Sequence, residues 1–325
     1  MIEGFPLFSS QPQVAIVLLN YNGYKDTIAC FESLQHIIYP NYNIIIVDND
    51  SPDKSMDNII DYMRKNDMEH VYFESPDFAM NYSEKNPNIT LIQSGYNGGY
   101  GHGNNIGIKY ALHKNSDYVL ILNNDTVVDP DFLKPMVQAC VEDKKIGIAS
   151  GKIYYNDKPD TIWFNGGKFS SCIAKAEHFN FNEQDIGQIP IEPITFITGC
   201  MWLIPKKVFQ EIGFINEEYF MYVEDLEFCQ RVIQQGYNLK VIEGGNVYHK
   251  VGSSTGGKYS SFSVFWRTRN MNKLIATNKN ALCRISAYII FNLKTILQLL
   301  RANKLALLKD YFKAIFSFQK DINVT

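Results

Sequence analysis

Residues 118–130 read YVLILNNDTVVDP, an apolar run that ends abruptly in polar side chains. The first five residues, Tyr118–Leu122, predict a buried β-strand. Asn123, Asn124 and Asp125 follow it without a spacer. Because a buried strand cannot solvate a charge, we expect Asp125 to point into a crevice at the end of the strand.

The same arrangement recurs upstream. Apolar runs at Val14–Leu19, Tyr42–Val47 and Thr90–Gln93 each predict a strand, and segments with helical spacing lie between them. Glu74–Asn88 interrupts this order as a polar inserted loop. Strands that alternate with helices predict βαβ units, so the expected fold is α/β, with a Rossmann-like, mostly parallel central sheet flanked by helices.

The order of elements is less regular downstream. We expect helices at Asp131–Val141, Lys206–Ile212 and Glu224–Gln235, an extended segment at Ile148–Ile153, a hairpin within Trp163–Ile189 and a last strand at Leu239–Ile242. A Gly/Ser-rich loop follows Val251, and helices continue to the C-terminus. The predicted organisation is one domain over residues 1–255, with halves of about 14–125 and 126–255, and a C-terminal helical extension over residues 256–325.

Polar clusters follow three of the predicted strands. They are Asn20–Gly23, which includes Tyr21, then Asp48–Asp53, and Asn123–Asp125. In an open parallel sheet, ligands bind in the crevice outside the carboxyl ends of the strands, so the three clusters would line one crevice. The alternative is that the strands simply end in turn residues, which Asn, Asp and Gly favour.

These side chains suit a nucleotide and a hard divalent cation. Asp125 supplies the oxygen ligands that Mg²⁺ or Mn²⁺ prefers, and substrate phosphates would complete the coordination. Asp48 can accept a hydrogen bond from the ring N–H of a base, because an ionised carboxylate only accepts. Residues 95–103 (GYNGGYGHG) contain five glycines, so their backbone N–H groups can approach a phosphate or a sugar.

Two further candidate groups lie downstream. Glu224 and Asp225 open a helix after the aromatic run 219–222 (YFMY), which favours either ordinary helix capping or a general base shielded by aromatic rings. His249 lies between a predicted strand and the loop 252–255 (GSST), whose composition suits a phosphate. The alternative for this solitary histidine is a structural role.

Charge is unevenly spread along the chain. The 325 residues carry a net charge of −3, which disfavours a general polyanion binder, so no nucleic-acid partner is expected. Residues 281–325 hold seven Lys/Arg and two Asp, a local charge of +5, which leaves −8 for residues 1–280. A basic tail on an acidic body predicts a local anionic partner.

Cysteine usage and hydropathy limit the compartments in which the protein is expected. The six cysteines are scattered and form no C-x-x-C pair, so we expect free thiols and a reducing compartment, the cytoplasm. Residues 1–13 lack Lys and Arg and do not resemble a signal peptide. No stretch reaches the roughly 18 uncharged apolar residues of a membrane span, which predicts a soluble protein or one peripheral to the inner face of the plasma membrane.

The C-terminal region has the pattern of amphipathic helices. The apolar residues at helical spacing are Leu282, Ile285, Ile289, Leu293, Ile296, Leu300, Leu305, Leu308, Phe312 and Ile315, and the basic residues beside them are Lys294, Arg301, Lys304, Lys309, Lys313 and Lys320. An apolar stripe with basic flanks favours docking on an anionic membrane surface. The alternatives are packing on the rest of the chain and a homodimer contact.

The order of these motifs resembles glycosyltransferase family 2, and in particular its rhamnosyltransferase-like branch. The resemblance covers roughly residues 14–255. The matching segments are VAIVLLNYNG (14–23), VDNDSPD (47–53), NGGYGHGNNIG (97–107), YVLILNNDTVVDP (118–130), TGCMWLIPKKVFQEIGFINEEYFMYVEDLEFCQRVIQQGY (198–237) and VYHKVGSST (247–255).

The resemblance implies a GT-A fold and an inverting, metal-dependent glycosyltransferase. The donor would be a nucleoside-diphosphate sugar, UDP- or dTDP-linked as in dTDP-rhamnose, and the acceptor a glycan or a lipid-linked glycan of cell-surface polysaccharide synthesis. The implied nucleotide-sugar residues are Asn20, Tyr21, Asp48, Asp53, Asn97, Gly98, Asn104, Asn123 and Asn124; the implied metal ligands are Asp125 and His249; the implied catalytic residues are Asp225 and Glu224.

Two departures from the family pattern qualify this picture, at Asn123 and at Glu227–Cys229. Asn123 stands at the first position of the D-x-D motif, which weakens metal binding. Glu227–Cys229 replaces the usual D-L-C sequence. The Q-x-x-R-W signature of processive synthases is missing after Asp225, so transfer of one sugar, or a few, per encounter is expected.

Rival functions are a nicotinamide-dependent oxidoreductase, a nucleotidyltransferase and an inactive nucleotide-sugar-binding protein. The first needs G-x-G-x-x-G after the first strand, and Asn20–Gly23 does not supply it. The second would show a basic glycine-rich loop at the same place. The third would not need the carboxylates Asp125 and Asp225 or the imidazole of His249.

Overall fold

The computed structural model describes residues 11–82, 88–190, 193–251, 257 and 259–324. Its strands are β1 (Val14–Asn20), β2 (Tyr42–Asp48), β3 (His70–Phe73), β4 (Ile89–Gln93), β5 (Tyr118–Asn123), β6 (Thr126–Val128), β7 (Ile146–Ser150), β8 (Ile153–Tyr155), β9 (Lys158–Phe164), β10 (Gly167–Ser170), β11 (Lys175–His178), β12 (Met201–Pro205), β13 (Asn238–Val241) and β14 (Val247–His249). Its helices are α1 (Tyr24–Leu34), α2 (Ser55–Lys65), α3 (Pro76–Asn81), α4 (Gly99–His113), α5 (Leu133–Glu142), α6 (Lys206–Ile212), α7 (Glu224–Gln234), α8 (Ser261–Ala276), α9 (Ala281–Arg301) and α10 (Leu308–Val324), with a 3₁₀ turn at Leu305–Leu307.

The main sheet has eight strands in the order β13-β7-β12-β5-β1-β2-β4-β3. β1 pairs in parallel with β2 and β5, and β4 pairs in parallel with β2 and β3. β12 runs antiparallel to both of its neighbours, β5 and β7. The predicted α/β fold with a mostly parallel sheet is therefore confirmed, with a reversal at β12.

The glycines of the loop at residues 95–103 and of the helix that follows serve close packing. A Cβ at Gly103 would come within 2.2 Å of Leu19, and a Cβ at Gly107 within 2.5 Å of Val17. α4 consequently lies unusually close to β1. Gly99 has a φ of +86°, and a Cβ there would overlap the carbonyl oxygen of Phe220 at 2.0 Å, so no other residue fits.

Several predicted boundaries differ from the observed ones. β3 was not predicted, because it has only four residues and its apolar run, Val71–Phe73, is too short to indicate a strand. The inserted loop contains α3, which Ser75 caps by accepting a hydrogen bond from the Phe78 N–H; residues 83–87 of this loop lie outside the described residues. Leu239–Ile242 is not the last strand, since β14 follows it.

A second sheet, in the order β6-β14-β8-β9, lies next to the C-terminal end of β5 in the chain. β14 pairs antiparallel with β6, and this register sets His249 opposite Thr126. β10 and β11 form the hairpin that was predicted within residues 163–189. The loop at 252–255, predicted to suit a phosphate, lies outside the described residues.

Two of the six cysteines are joined. Cys172 and Cys283 form a disulfide across 111 residues, while Cys30, Cys140, Cys200 and Cys229 are buried free thiols. The prediction of six free thiols is wrong for this pair, because sequence spacing does not show which distant residues the fold brings together. The cysteines consequently lend no support to the predicted reducing compartment.

α9 joins the C-terminal helices to the rest of the molecule. Ala287 and Leu299 are buried, and the Ser286 hydroxyl donates to the carbonyl of Cys172. Most of the predicted apolar stripe is exposed instead: Leu282, Ile285, Ile289, Leu293, Leu300, Leu305 and Phe312. The side chain of Lys320 lies outside the described part of the chain.

By length and composition alone, α9 is the one helix in the described part of the chain that is long and apolar enough to cross a membrane. The prediction concerned uncharged apolar stretches of roughly 18 residues, and α9 is not one, because Arg284 and Lys294 lie inside its 21 residues. The β10–β11 hairpin and α8 both bond to α9, so one face of this helix packs along the rest of the protein.

Candidate active site

The three predicted polar clusters meet at the carboxyl ends of β1, β2 and β5. The Asn20 side-chain amide donates to Asp48 Oδ1 over 2.6 Å, and its oxygen accepts from the Thr27 hydroxyl over 2.7 Å. The Asn124 amide donates to the same hydroxyl over 2.8 Å. The parallel register produces this convergence, since it places Asn20 beside Asp48 and Leu19 beside Asn123.

Asp48 is buried and fully hydrogen-bonded within the protein. Besides Asn20, it accepts from the Ser51 hydroxyl and backbone N–H over 2.6 and 2.9 Å, and from the Gln93 amide over 3.1 Å. These bonds occupy the four acceptor positions of a carboxylate. A hydrogen bond from a nucleotide base, which stays a prediction, would require one of them to open, and the bond to Gln93 is the longest.

Asn97, Gly98 and Asn104 organise the start of α4. The Asn97 oxygen accepts from the N–H of Gly99 and from the amide of Asn49, both over 3.0 Å. A Cβ at Gly98 would overlap the ring of His102. Asn104 is buried, and its side-chain oxygen has no hydrogen-bonding partner. The observed contacts of this segment are with protein, and its contact with a nucleotide sugar stays a prediction.

Three other predicted residues lie at the edge of the crevice or in the segments that surround it. Tyr21 is 46% exposed. Asp53 is exposed and accepts from the backbone N–H and hydroxyl of Ser55, so it stabilises the first turn of α2 without any ligand. Asn123 is tied through its N–H to the carbonyl of Cys200.

Asp125 and His249 form the candidate metal site. The β6–β14 register brings them together, and His249 Nε2 lies 3.1 Å from Asp125 Oδ1. Both residues are buried, and neither Asp125 Oδ1 nor His249 Nδ1 has a hydrogen-bonding partner. His249 Nε2 pairs with this carboxylate only when the imidazole is protonated, and a divalent cation is a chemically suitable partner for both groups. The described residues contain no cluster of three or more His, Cys, Asp or Glu that could hold a metal.

Asp225 follows a strained turn. Tyr222 and Val223 have φ values of 68° and 74°, a region that a β-branched residue such as Val rarely adopts. The Asn270 side-chain amide donates to the carbonyls of Met221 and Tyr222 over 2.9 Å each, so α8 holds this turn in place. The turn aims Asp225 at the N–H of Gly199, 3.5 Å from its Oδ2.

Burial raises the pKa of Asp225 to about 6, opposed by hydrogen bonds from the backbone N–H groups of Leu226 and Gly199. Burial and the neighbouring charge of Asp225 raise the pKa of Glu224 well above its usual range. Glu224 Oε2 is buried without a partner and the residue does not line the adjacent cavity. Of this pair, only Asp225 lines the cavity and can therefore be reached by an acceptor.

A short series of contacts connects the candidate base with the candidate metal site. Gly199 contacts Asp225, and the adjacent Cys200 accepts from the N–H of Asn123, two residues before Asp125. On the other side, Trp163 packs edge-on against His249 with ring centroids 4.6 Å apart. Trp163 also lines a cavity of about 570 Å³ that contains Asp225, so the two sites belong to one region.

Several residues of this region were not among the predicted site residues. Thr27, Ser51 and Gln93 complete the Asn20–Asp48 network, and Asn270 supports the turn before Asp225. Ser51 and Gln93 follow or end predicted strands and were within reach of the argument from strand ends. Asn270 was not, because its partner lies 48 residues away and no motif joins them.

The model of the family described as glycosyl transferase family 2 matches residues 15–213. The chain belongs to glycosyl transferase family 2. This match covers most of β1 to α6, including the Asn20–Asp48 network and Asp125, and it confirms the resemblance to this family of sugar-transferring enzymes. Asp225, His249 and the C-terminal helices lie beyond the matched residues.

Two relatives of the family 2 chain support the same conclusion. It is 27% identical over 199 residues to the low-salt glycan biosynthesis hexosyltransferase Agl10 of Haloferax volcanii, a match over 58% of this chain and 60% of that protein. It is 24% identical to the dTDP-rhamnosyl transferase RfbF of Shigella flexneri, over 70% of this chain and 77% of that protein. The second match agrees with the rhamnosyltransferase-like branch.

Comparison with solved structures supports the GT-A fold of this family 2 protein. The mannosyltransferase PcManGT of Pyrobaculum calidifontis, solved in complex with GDP-Man and Mn²⁺, superposes with a TM-score of 0.56 over 95% of this chain and 75% of that one. The sequences are 14% identical, so the likeness concerns the fold.

Proposed function

We propose that this protein transfers a sugar, with inversion, from a UDP- or dTDP-linked donor to a hydroxyl group of a glycan or lipid-linked acceptor. The observation that carries the proposal is the carboxylate of Asp225, which lines a cavity of about 570 Å³ beside the Asp125–His249 pair. A nucleotide-binding crevice, a cation site and a base in one region are the parts that such a reaction needs.

In the proposed reaction Asp225 is the general base. Its carboxylate accepts the proton of the acceptor hydroxyl while that oxygen attacks the anomeric carbon, and the nucleoside diphosphate leaves from the opposite face. The raised pKa, about 6, keeps the group mostly ionised at pH 7 yet basic enough to take a proton. A single accessible carboxylate favours inversion, because retention by double displacement needs a second carboxylate as nucleophile.

Asp125 and His249 would hold Mg²⁺ or Mn²⁺ together with the donor diphosphate. The close approach of Asp125 Oδ1 and His249 Nε2, 3.1 Å apart, supports this assignment, and one or two carboxylates plus substrate phosphates are the usual arrangement for Mg²⁺. A bound cation would neutralise the negative charge that develops on the leaving diphosphate. Asn20 and Asp48, with the helix start at Gly99, would orient the nucleotide from the other side of the crevice.

The exposed face of α9 and α10 would rest on an anionic membrane surface. This apolar face, which consists of Leu282, Ile285, Ile289, Leu293, Leu297, Leu300, Leu305 and Phe312, is bordered by exposed basic residues. Apolar side chains can enter the boundary between headgroups and acyl chains, while Lys and Arg attract acidic lipid. A peripheral position of this kind suits an acceptor carried on a lipid.

Release of nucleoside diphosphate tests the proposed function. Purified protein is incubated with a panel of UDP-, dTDP- and GDP-sugars and Mn²⁺, and donor binding is measured in parallel by calorimetry. Binding and turnover of a nucleotide sugar are expected for at least one donor. Binding without turnover, with any acceptor extract, would favour the inactive binding protein instead.

A further inference from the structure

The cavity next to Asp225 is enclosed by elements from distant parts of the chain. Asp225 and Thr198 line one side, and the β10–β11 hairpin contributes residues near its turn. The opposite wall comes from α8 and α9, through Arg267, Lys294 and Gln298. The family model ends at residue 213, so this wall lies outside the part of the chain that identifies the family.

The charges that line this cavity do not balance. Asp225 is the one carboxylate among the described lining residues, whereas Lys175, Arg267 and Lys294 are cations. Lys175 is paired with Glu177. Arg267 stacks on the ring of Tyr222 at 5.1 Å, and its positive charge acts on the carboxylate of Asp225 across the cavity.

Asp225 can offset only one of the charges of Arg267 and Lys294, so the cavity keeps an excess of positive charge that favours an anionic ligand. Arg267 offers a planar group with several N–H donors, which matches phosphate oxygens, and Lys294 adds a second positive charge. The donor diphosphate already has its own place at Asp125 and His249, neither of which lines this cavity. The anion here consequently belongs to another molecule.

The surroundings of Lys294 indicate what that molecule carries. Lys294 lies on α9 directly after Leu293, which is 57% exposed, and Leu297 on the next turn is 48% exposed. The same helix thus presents a cation to the cavity and apolar side chains to the outside. A phosphate with a hydrocarbon chain attached would contact both.

We propose that Arg267 and Lys294 form an anion subsite of the acceptor cavity, which binds a phosphate ester of a lipid-linked acceptor and so sets the sugar hydroxyl beside Asp225. This assignment rests on the proposed function, and it specifies the chemical class of the acceptor and the residues that select it. Acceptors without a phosphate would bind with lower affinity, because they would lose their interactions with both Arg267 and Lys294.

Binding of geranyl diphosphate tests the subsite without requiring transfer. The full chain is first saturated with UDP, dTDP and Mn²⁺ so that the donor diphosphate site is occupied, and the affinity for geranyl diphosphate is then measured by calorimetry. Arg267→Ala and Lys294→Ala are each expected to weaken binding about tenfold, as for loss of one charged hydrogen bond. Arg284→Ala, an exposed cation on α9 outside the cavity, is the matched control and should bind as the unaltered chain does.

Three results would overturn the assignment. The first is unchanged affinity in both cavity variants, and the second is loss of all binding once the donor site is filled. The third is equal affinity for inorganic pyrophosphate and geranyl diphosphate, which would show recognition of a free anion. Failure of the proposed function would be distinct, since it would appear as absent nucleotide-sugar binding or turnover in the unaltered chain.

Discussion

At the residue scale, Asp125 is the most direct test of the metal site. Asp125→Ala is expected to abolish both transfer and the Mn²⁺-dependent part of donor binding, while the melting temperature changes little because Asp125 is not part of the apolar core. Calorimetry with and without Mn²⁺ measures the effect. Asp131→Ala, at an exposed aspartate nearby in the chain, is the control; near-normal turnover in Asp125→Ala would show that the site is elsewhere.

Asp225 makes a prediction about pH. Since its pKa is raised to about 6, kcat/KM should rise as the pH increases through about 6 and level off above it. An unperturbed aspartate would already be ionised near pH 4. Asp225→Asn should lower turnover roughly 10²- to 10⁴-fold with donor affinity retained, and Asp67→Asn at an exposed site is the control.

The same substitution should alter stability with a definite sign. A carboxyl group whose pKa is higher in the folded state binds protons more tightly there, so its contribution is most favourable at low pH and is lost as the pH rises towards 6. Asp225→Asn removes the unfavourable contribution that the ionised, buried carboxylate makes at pH 7, so it should raise the melting temperature at that pH. A lower melting temperature at pH 7, together with lost donor binding, would mean that Asp225 has a structural role.

At the scale of elements, the turn before α7 depends on α8. Asn270→Ala leaves the carbonyls of Met221 and Tyr222 without their donor, so it should relax the strained turn and lower kcat while donor affinity stays the same. The pH midpoint should also move, because the environment of Asp225 changes. Asn272→Ala is the matched control: this buried asparagine of α8 bonds to Asn292, away from the turn, and its loss should cost stability but keep the pH profile.

The disulfide links the β10–β11 hairpin to α9. Cys172→Ser with Cys283→Ser should lower the free energy of unfolding by about 2–5 kcal/mol, because a long loop is no longer closed in the unfolded chain. Reductant should lower the melting temperature of the unaltered protein and leave the double variant unchanged. Alkylation followed by mass spectrometry counts the thiols directly; six reactive thiols in the unfolded, unreduced chain would contradict the pairing.

How far the sequence predicts these elements depends on the range of the interactions. The strands β1, β2 and β5 have continuous apolar runs, and the carboxyl-end rule predicts that the clusters containing Asn20, Asp48 and Asn124 line one crevice; the hydrogen bonds that join them are seen only in the structure. The pairing of Asp125 with His249 came only from the family resemblance, since it arises from a register between residues 124 positions apart. Nothing local indicates that register, the disulfide, or the contact of Asn270 with the turn.

At the scale of the whole molecule, the exposed face of α9 is predicted to bind acidic vesicles. Ile289→Glu with Leu293→Glu places two negative charges on this face and should abolish flotation with anionic liposomes at low salt. Ile38→Glu, at a residue that is 68% exposed on another part of the molecule, is the control. Equal flotation of both variants would exclude this face as the membrane contact, and a dimer dissociated by the double variant would identify a second copy as the occupant instead.

The register between β6 and β14 also bears on how the protein is made. Asn20, Asp48 and Asn124 leave the ribosome early, whereas this register requires residues that emerge much later, among them His249. A domain generally folds as a unit, and β12 pairs with β5 inside the main sheet, so residues up to 125 do not complete that sheet by themselves. The proposed donor site, base and metal ligands are therefore expected to become functional together, once translation has passed His249.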